Sequence, residues 1–238
     1  MPDFLKAAPF TWDGLRRGMR DGTPLGFGIL AYGLAFGLVA AQVPLAMTHA
    51  LAMSAAVYSG SAQLAALNLM QTGQFTLTAL AATILLMNAR YVMFGAALQP
   101  WLGQVTAPRA YGSLVLLGDA NWLLVMRAID KGEADRAYLA GTGVPMLVGW
   151  LVGTGVGTVS GTILPDPKTL AADLMLPAFA AAMMGGMMRG RASYLAAGVG
   201  AGVALAVMGV AGPGWAIIAA GVAGAAVAAA AWRAPVST

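Results

Sequence analysis

Apolar residues fall in long runs along this chain, with short polar interruptions between them. A helix crosses about 30 Å of hydrocarbon in about 20 mostly apolar residues. Eight runs approach that length: 24–43, 45–70, 76–99, 110–126, 138–164, 174–188, 192–210 and 214–232. The connectors are short, and only 127–137 and 165–173 have a loop's composition. The pattern predicts an all-α polytopic membrane protein of about eight transmembrane helices, some of them broken at midplane. Residues 1–23 then form a cytoplasmic N-terminal segment, 24–232 a single transmembrane domain, and 233–238 a cytoplasmic tail.

Composition sharpens this. Of 238 residues, 59% are hydrophobic and 9% charged, against about 25% charged in ordinary soluble domains. So few charges exclude a soluble enzyme and a disordered chain. Cysteine is absent and histidine occurs once, which leaves no disulfide framework and little material for a metal centre; no metal and no cofactor are expected. The net charge of +4 reads as basic loops anchoring helices, without nucleic acid as a partner. The first 23 residues mix Lys6, Arg16, Arg17 and Arg20 with Asp3, Asp13 and Asp21, unlike a cleaved secretory leader.

Eight crossings with the N-terminus inside place Lys6, Arg16, Arg17, Arg20, Arg127, Lys131, Arg136, Arg189, Arg191 and Arg233 on the cytoplasmic side. Arg109 and Lys168 fall outside, as the positive-inside rule expects for an N-in, C-in chain. A re-entrant 45–70 moves either the N-terminal cluster or most later basic loops to the wrong side, which favours eight crossings. Glycines recur every fourth residue at 149, 153, 157 and 161, and in the pairs Gly33/Gly37 and Gly198/Gly202. Small residues let helix backbones approach closely in lipid; the face they make serves helix packing or receives a partner subunit. Met183, Met184, Met187 and Met188 read as flexible apolar filler.

Ionisable and amide groups inside a span are costly, so each is a functional candidate. Arg90 and Asp119 each lie nine residues from the predicted outer ends at 99 and 110, and Asn88 and Asn121 each lie eleven. An Arg90–Asp119 ion pair follows, serving as a structural lock or as part of a substrate or proton pathway. The run Tyr58-Ser59-Gly60-Ser61-Ala62-Gln63 interrupts the middle of 45–70. It marks either a helix broken to bind solute at midplane or serines bonded back to their own helix, with the glutamine bridging neighbours. Further breaks are expected near Pro24–Gly28 and at Leu176-Pro177-Ala178. His49, near a span end, reads as hydrated or backbone-bonded before it reads as a proton relay.

The 58–63 run, Asn88-Ala89-Arg90 with Gln99-Pro100, Asp119, and Leu176-Pro177-Ala178-Phe179, in this order, resemble the AzlC family. That family, which is YgaZ-like, is the large subunit of bacterial branched-chain amino-acid exporters. The resemblance runs from about Gly14 to Gly202, although the family often carries a second acid where this chain has Ala120. It implies a multi-pass permease of the bacterial inner membrane. Its cargo would be valine, leucine, isoleucine and, as a further candidate, methionine. It also implies a small hydrophobic AzlD-like partner subunit, and a higher oligomer is a further candidate. A zwitterion with an apolar side chain needs dipoles and a greasy pocket. Ser59, Gly60, Ser61, Gln63 and Asn88 are candidates for the former; Tyr58, Phe27, Phe36 and Met53 for the latter. Backbone carbonyls, Gln63 or Asp119 would hold the ammonium.

No GxxxxGK[ST] loop occurs, so the chain itself does not use ATP. Asp119 is then the expected proton carrier, with Arg90 and Asn121 beside it. A permease for another small solute and a non-transporting scaffold subunit are the alternatives. A serine hydrolase using Ser59 or Ser61 lacks a base, since His49 lies about 15 Å away along a straight helix.

Overall fold

The computed structural model describes residues 9–73, 75–163, 188, 190–211 and 213–231. All regular structure among them is helical, and the chain divides into two compact units, Met1–Ala180 and Ala181–Thr238. Three helices are long and apolar enough to cross a membrane: Trp12–Ala40, Ala137–Ile163 and Gly190–Val210. The predicted span 174–188 lies outside the described residues except for Met188, as do Pro177 and the tail from 232.

The first unit begins with α1, Trp12–Ala40, whose N-terminus is capped by the Thr11 side chain accepting from the Gly14 N–H at 3.2 Å. The helix takes in residues 12–23, assigned above to the N-terminal segment, and passes through Pro24 unbroken. The expected break near Pro24–Gly28 is therefore absent. Proline costs one backbone bond, and α1 stays helical through it, packed along its length on a second helix, α8, Ala137–Ile163.

Glycine makes that contact. A Cβ on Gly18 would stand 2.4 Å from the Tyr138 carbonyl oxygen, and one on Gly37 2.3 Å from that of Thr154. From the other side, a Cβ on Gly153 would stand 2.2 Å from the Leu30 oxygen, and one on Gly157 2.2 Å from that of Leu34. The partners advance together in number, so α1 and α8 run parallel, backbone against backbone. The stripe at 149, 153, 157 and 161 and the pair Gly33/Gly37 are thus used within the chain. Tyr32 and Phe36 pack on Trp150 at ring distances of 5.1 and 5.6 Å, at the centre of a buried apolar cluster.

Between these helices lie three broken segments. The first is α2, Met47–Val57, and α3, Gly60–Gln71. The second is α4, Leu77–Asn88, and α5, Arg90–Leu102, meeting at Ala89, which keeps right-handed helical dihedrals. The third is α6, Ala107–Leu114, and α7, Asp119–Asp130. Val115–Gly118 separate α6 from α7, a break the apolar pattern did not reveal.

Their direction corrects the count of crossings. The end of α5 sits beside the starts of α1 and α8. The Trp101 indole donates to the Glu133 carbonyl at 3.0 Å, and Arg136 Nε donates to the Trp101 carbonyl at 2.9 Å. Arg109, at the start of α6, lies over the Phe10 ring at 5.4 Å. The end of α7 returns to the same place, where Arg17 Nη2 meets Glu133 Oε1 at 3.0 Å. Residues 99–109 therefore share one end with the N-terminus and with 130–138, whereas the hydropathy reading put them at opposite ends. It follows that α6–α7 is a hairpin entering and leaving from one end. Since α4–α5 runs to that end, Leu77 and the preceding Gln71 lie at the other, near Gln42 and Gly161, which bond at 3.4 Å. So α2–α3 is the opposed hairpin. Two of the predicted crossings, 45–70 and 110–126, are hairpins, because two helices of 8–12 residues have the length and hydropathy of one span.

In the second unit, α9, Gly190–Ala211, and α10, Pro213–Ala231, pack antiparallel, with Gly200 against the Ala220 carbonyl and Gly224 against that of Ala196. Gly198 and Gly202 face no atom within 4 Å among the described residues.

Candidate functional site

The tips of the two hairpins and the joint of α4–α5 meet. Tyr58 ends α2 in the left-handed region, at φ 44°, and the chain turns there into α3. Gly60 is required at this corner, because a Cβ would come within 2.7 Å of the Tyr32 ring and hydroxyl. On the opposed hairpin Asn121, fully buried, ties the tip: its Oδ1 accepts from the Gly118 N–H at 2.6 Å and its Nδ2 donates to the Leu116 carbonyl at 2.7 Å. Gly118 reaches the Tyr58 ring, with 3.9 Å between a built Cβ and the ring edge.

The α4–α5 joint bridges the tips. Ser59 Oγ donates to Asn88 Oδ1 at 2.7 Å. Arg90 Nη2 donates to Ser61 Oγ at 3.2 Å and meets Asp119 Oδ2 at 3.0 Å. One nitrogen thus links α3 of the first hairpin to α7 of the second. Arg90 also lies over the Tyr91 ring at 5.5 Å. The ion pair reflects the meeting of a helix joint with a hairpin tip: α5 and α7 run in the same direction away from it, where the counting from 99 and 110 assumed antiparallel spans. Both side chains are 38% exposed, so the pair is reachable from outside the packed core.

Two half-helices begin at this place. The first turns of α3 and α7 leave N–H groups without intrahelical acceptors and carry the positive end of the helix dipole. Ser59 does not cap α3, its hydroxyl being engaged by Asn88. Asp119 is the first residue of α7, where its charge complements the dipole. The arrangement therefore offers donors for an anionic group and one carboxylate for a cationic group.

Gln63, 1% exposed, points the other way. Its Nε2 donates to Ser54 Oγ at 3.1 Å, and Ser54 shares a 3.0 Å hydrogen bond with Thr154 of α8. Its Oε1 is buried without a partner, and exchanging the amide atoms would leave the nitrogen orphaned in its place. Ser54 and Thr154 were not singled out by the sequence, because each is a lone hydroxyl within an apolar or glycine-rich run. Phe27 is not brought to the site: it is 70% exposed on the outer face of α1. Phe36 is fully buried in the α1–α8 core, with Met53 packed against that cluster. His49 stands exposed on α2. Among the described residues no group of three or more His, Cys, Asp or Glu side chains is placed to hold a metal ion.

Opposed helical hairpins meeting beside a discontinuous helix, with an ion pair at the junction, are an arrangement of the kind that helical membrane transporters use. The family model for the AzlC protein matches residues 24–164, which takes in α2–α8 and most of α1. The chain belongs to the AzlC family, a transporter family associated with branched-chain amino-acid transport. Neither a curated protein nor a solved structure matches the chain.

Proposed function

We propose that this chain is the large subunit of a secondary transporter that exports valine, leucine and isoleucine, with methionine as a further cargo, across the bacterial inner membrane. It works with a small hydrophobic AzlD-like subunit and draws on the proton gradient. The observation that carries the reading is the bridge from Ser61 through Arg90 to Asp119, set where both hairpin tips end. An unpaired arginine at that depth costs at least about 2.5–3.5 kcal/mol, and such groups in helical membrane proteins line solute and proton paths.

The end of the first unit that gathers Arg16, Arg17, Arg20, Arg109, Arg127, Lys131 and Arg136 is the cytoplasmic one. Two hairpins in place of two crossings leave the parity unchanged, which supports the N-in, C-in reading with two crossings fewer than the apolar runs alone predict. Arg109 then joins the other basic residues inside. Tyr58, Ser59, Gly60, Ser61 and Asn88 form the substrate side of the site, Gln63 braces α3 on α2 behind it, and Arg90, Asp119 and Asn121 form the coupling side. Asp119 is the proton carrier.

The test is flux of labelled leucine, lysine and glutamate in vesicles, with and without the small subunit. Leucine flux that steepens with the proton gradient is expected; lysine flux above leucine flux sinks the branched-chain assignment. An Asp119→Asn variant should lose the pH dependence, and full retention removes Asp119 as the carrier. Unchanged flux after conservative changes at both Arg90 and Asp119 would favour a scaffold role.

A further inference from the structure

Two arginines of this chain hold carboxylates in different ways. Arg17 grips Glu133 with one edge of its guanidinium, Nε at 3.4 Å and Nη2 at 3.0 Å. Arg90 offers the same edge to Asp119 but uses only half of it. Its Nη2 is shared between Asp119 and Ser61, while its Nε is buried with no hydrogen-bond partner. A buried N–H of a charged group left bare is costly, and the planar fork suits a carboxylate that can meet both nitrogens. Asp119 receives no other hydrogen bond among the described residues. The pair is complementary in charge and poorly satisfied in geometry.

We propose that the Arg90–Asp119 pair is the receptor for the head group of an α-amino acid, which inserts between the two side chains as a zwitterion. Its carboxylate takes the Nε–Nη2 edge of Arg90 and its ammonium takes Asp119. This rests on the transporter reading above and adds how the substrate class is read. The charge of the site is the same empty and occupied, so no ion is stranded in a low-dielectric place on binding or release. Insertion replaces one charge-assisted contact with two of about 2.7–2.9 Å each in series, which drives α7 away from α5. Since Arg90 joins Ser61 of one hairpin to Asp119 of the other, the hairpin tips, which also touch at Tyr58 and Gly118, part as the ligand enters. A proton on Asp119 removes the ammonium's partner, so proton and amino acid exclude one another, as exchange in opposite directions requires. The charged or titratable groups facing Asp119 are Arg90 and Tyr91 of α5 and Tyr32 of α1.

The purified full chain, followed by thermal shift, tests this with leucine, leucine amide and 4-methylpentanoate, and with the other proteinogenic amino acids in turn. The amide lacks the carboxylate and the acid lacks the ammonium. Leucine should bind about 10- to 100-fold more tightly than either half-ligand, the span expected for one charge-assisted bond. In the Arg90→Gln/Asp119→Asn double variant, which keeps the pair neutral, that preference should vanish. In Arg90→Lys, which keeps the charge without the fork, leucine should weaken about tenfold while the amide is unchanged. A preference for leucine over both half-ligands that survives in both variants overturns the receptor and leaves leucine as substrate. If another amino acid binds in place of leucine, and the variants erase its preference over its own amide, the receptor stands and the branched-chain reading falls. Binding of no amino acid removes both.

Discussion

At the residue scale, the groups that close the site and the basic end of the first unit are held by few bonds each. Asn121 satisfies both a donor and an acceptor of the α6–α7 tip. Replacing it with alanine removes both partners and empties a buried site, which should cost about 1–3 kcal/mol. A fall in melting temperature checks this. Asp135 is the corresponding tie at the basic end, where α1 and α8 begin. Burial pushes its carboxyl up, but the Thr11 hydroxyl, the Thr11 and Ala137 N–H groups and Arg17 together outweigh burial and hold it below the ordinary value. A carboxylate held low stabilises the fold above the ordinary range near 3.9. That contribution is lost as pH falls through the lowered value. The melting-temperature gap between wild type and Asp135→Asn should therefore be full at pH 6 and close below about pH 4. A gap independent of pH would show that the charge is not what Thr11 reads.

Single residues were also the most legible scale. Arg90 and Asp119 stand out in an apolar chain because charge in lipid is expensive, and Tyr58–Gln63 stands out because it is polar at mid-run. Both fall at the junction. Phe27 misled, since an aromatic near a glycine gives no sign of which helix face it occupies. Ser54 and Thr154 were invisible because a lone hydroxyl can always bond back within its own helix.

At the scale of elements, the α1–α8 seam sets the strongest expectation. A leucine at Gly157 would drive its side chain into the Leu34 carbonyl of α1, where even a Cβ comes to 2.2 Å. Overpacking on that scale should cost about 1–3 kcal/mol or more. The same change at Gly202, which faces open space within the described residues, should leave the melting temperature within a degree or two. Equal effects at both positions would mean the seam is not a close contact. The helix breaks were legible where polar residues mark them and hidden at Val115–Gly118, where Val-Leu-Leu-Gly reads as continuous apolar helix.

For the whole molecule, the crossing pattern was the least legible feature. Hydropathy measures length and greasiness, and a hairpin of two short helices matches a single span in both. Charge counting did not rescue it, because only Arg109 changes sides. Since the chain has no cysteine, single cysteines report topology cleanly. With Gly73→Cys and Gln104→Cys, an impermeant maleimide applied outside intact cells should label the first and spare the second. Labelling of the second alone would return α2–α3 to a crossing, and labelling of both would overturn the crossing by α4–α5.

The parallel seam also dictates a timetable. Its two halves are separated in the chain by every other described element of the first unit, so α1 emerges with its glycine face exposed and no partner yet made. Translation at about 5–20 residues per second keeps α1 waiting on the order of ten seconds, while both hairpins are synthesised without the wall they will lean on. Biogenesis must therefore shelter α1 at the insertion machinery until α8 arrives. Glycine changes along that face should be read first as losses of yield, and only then as losses of transport.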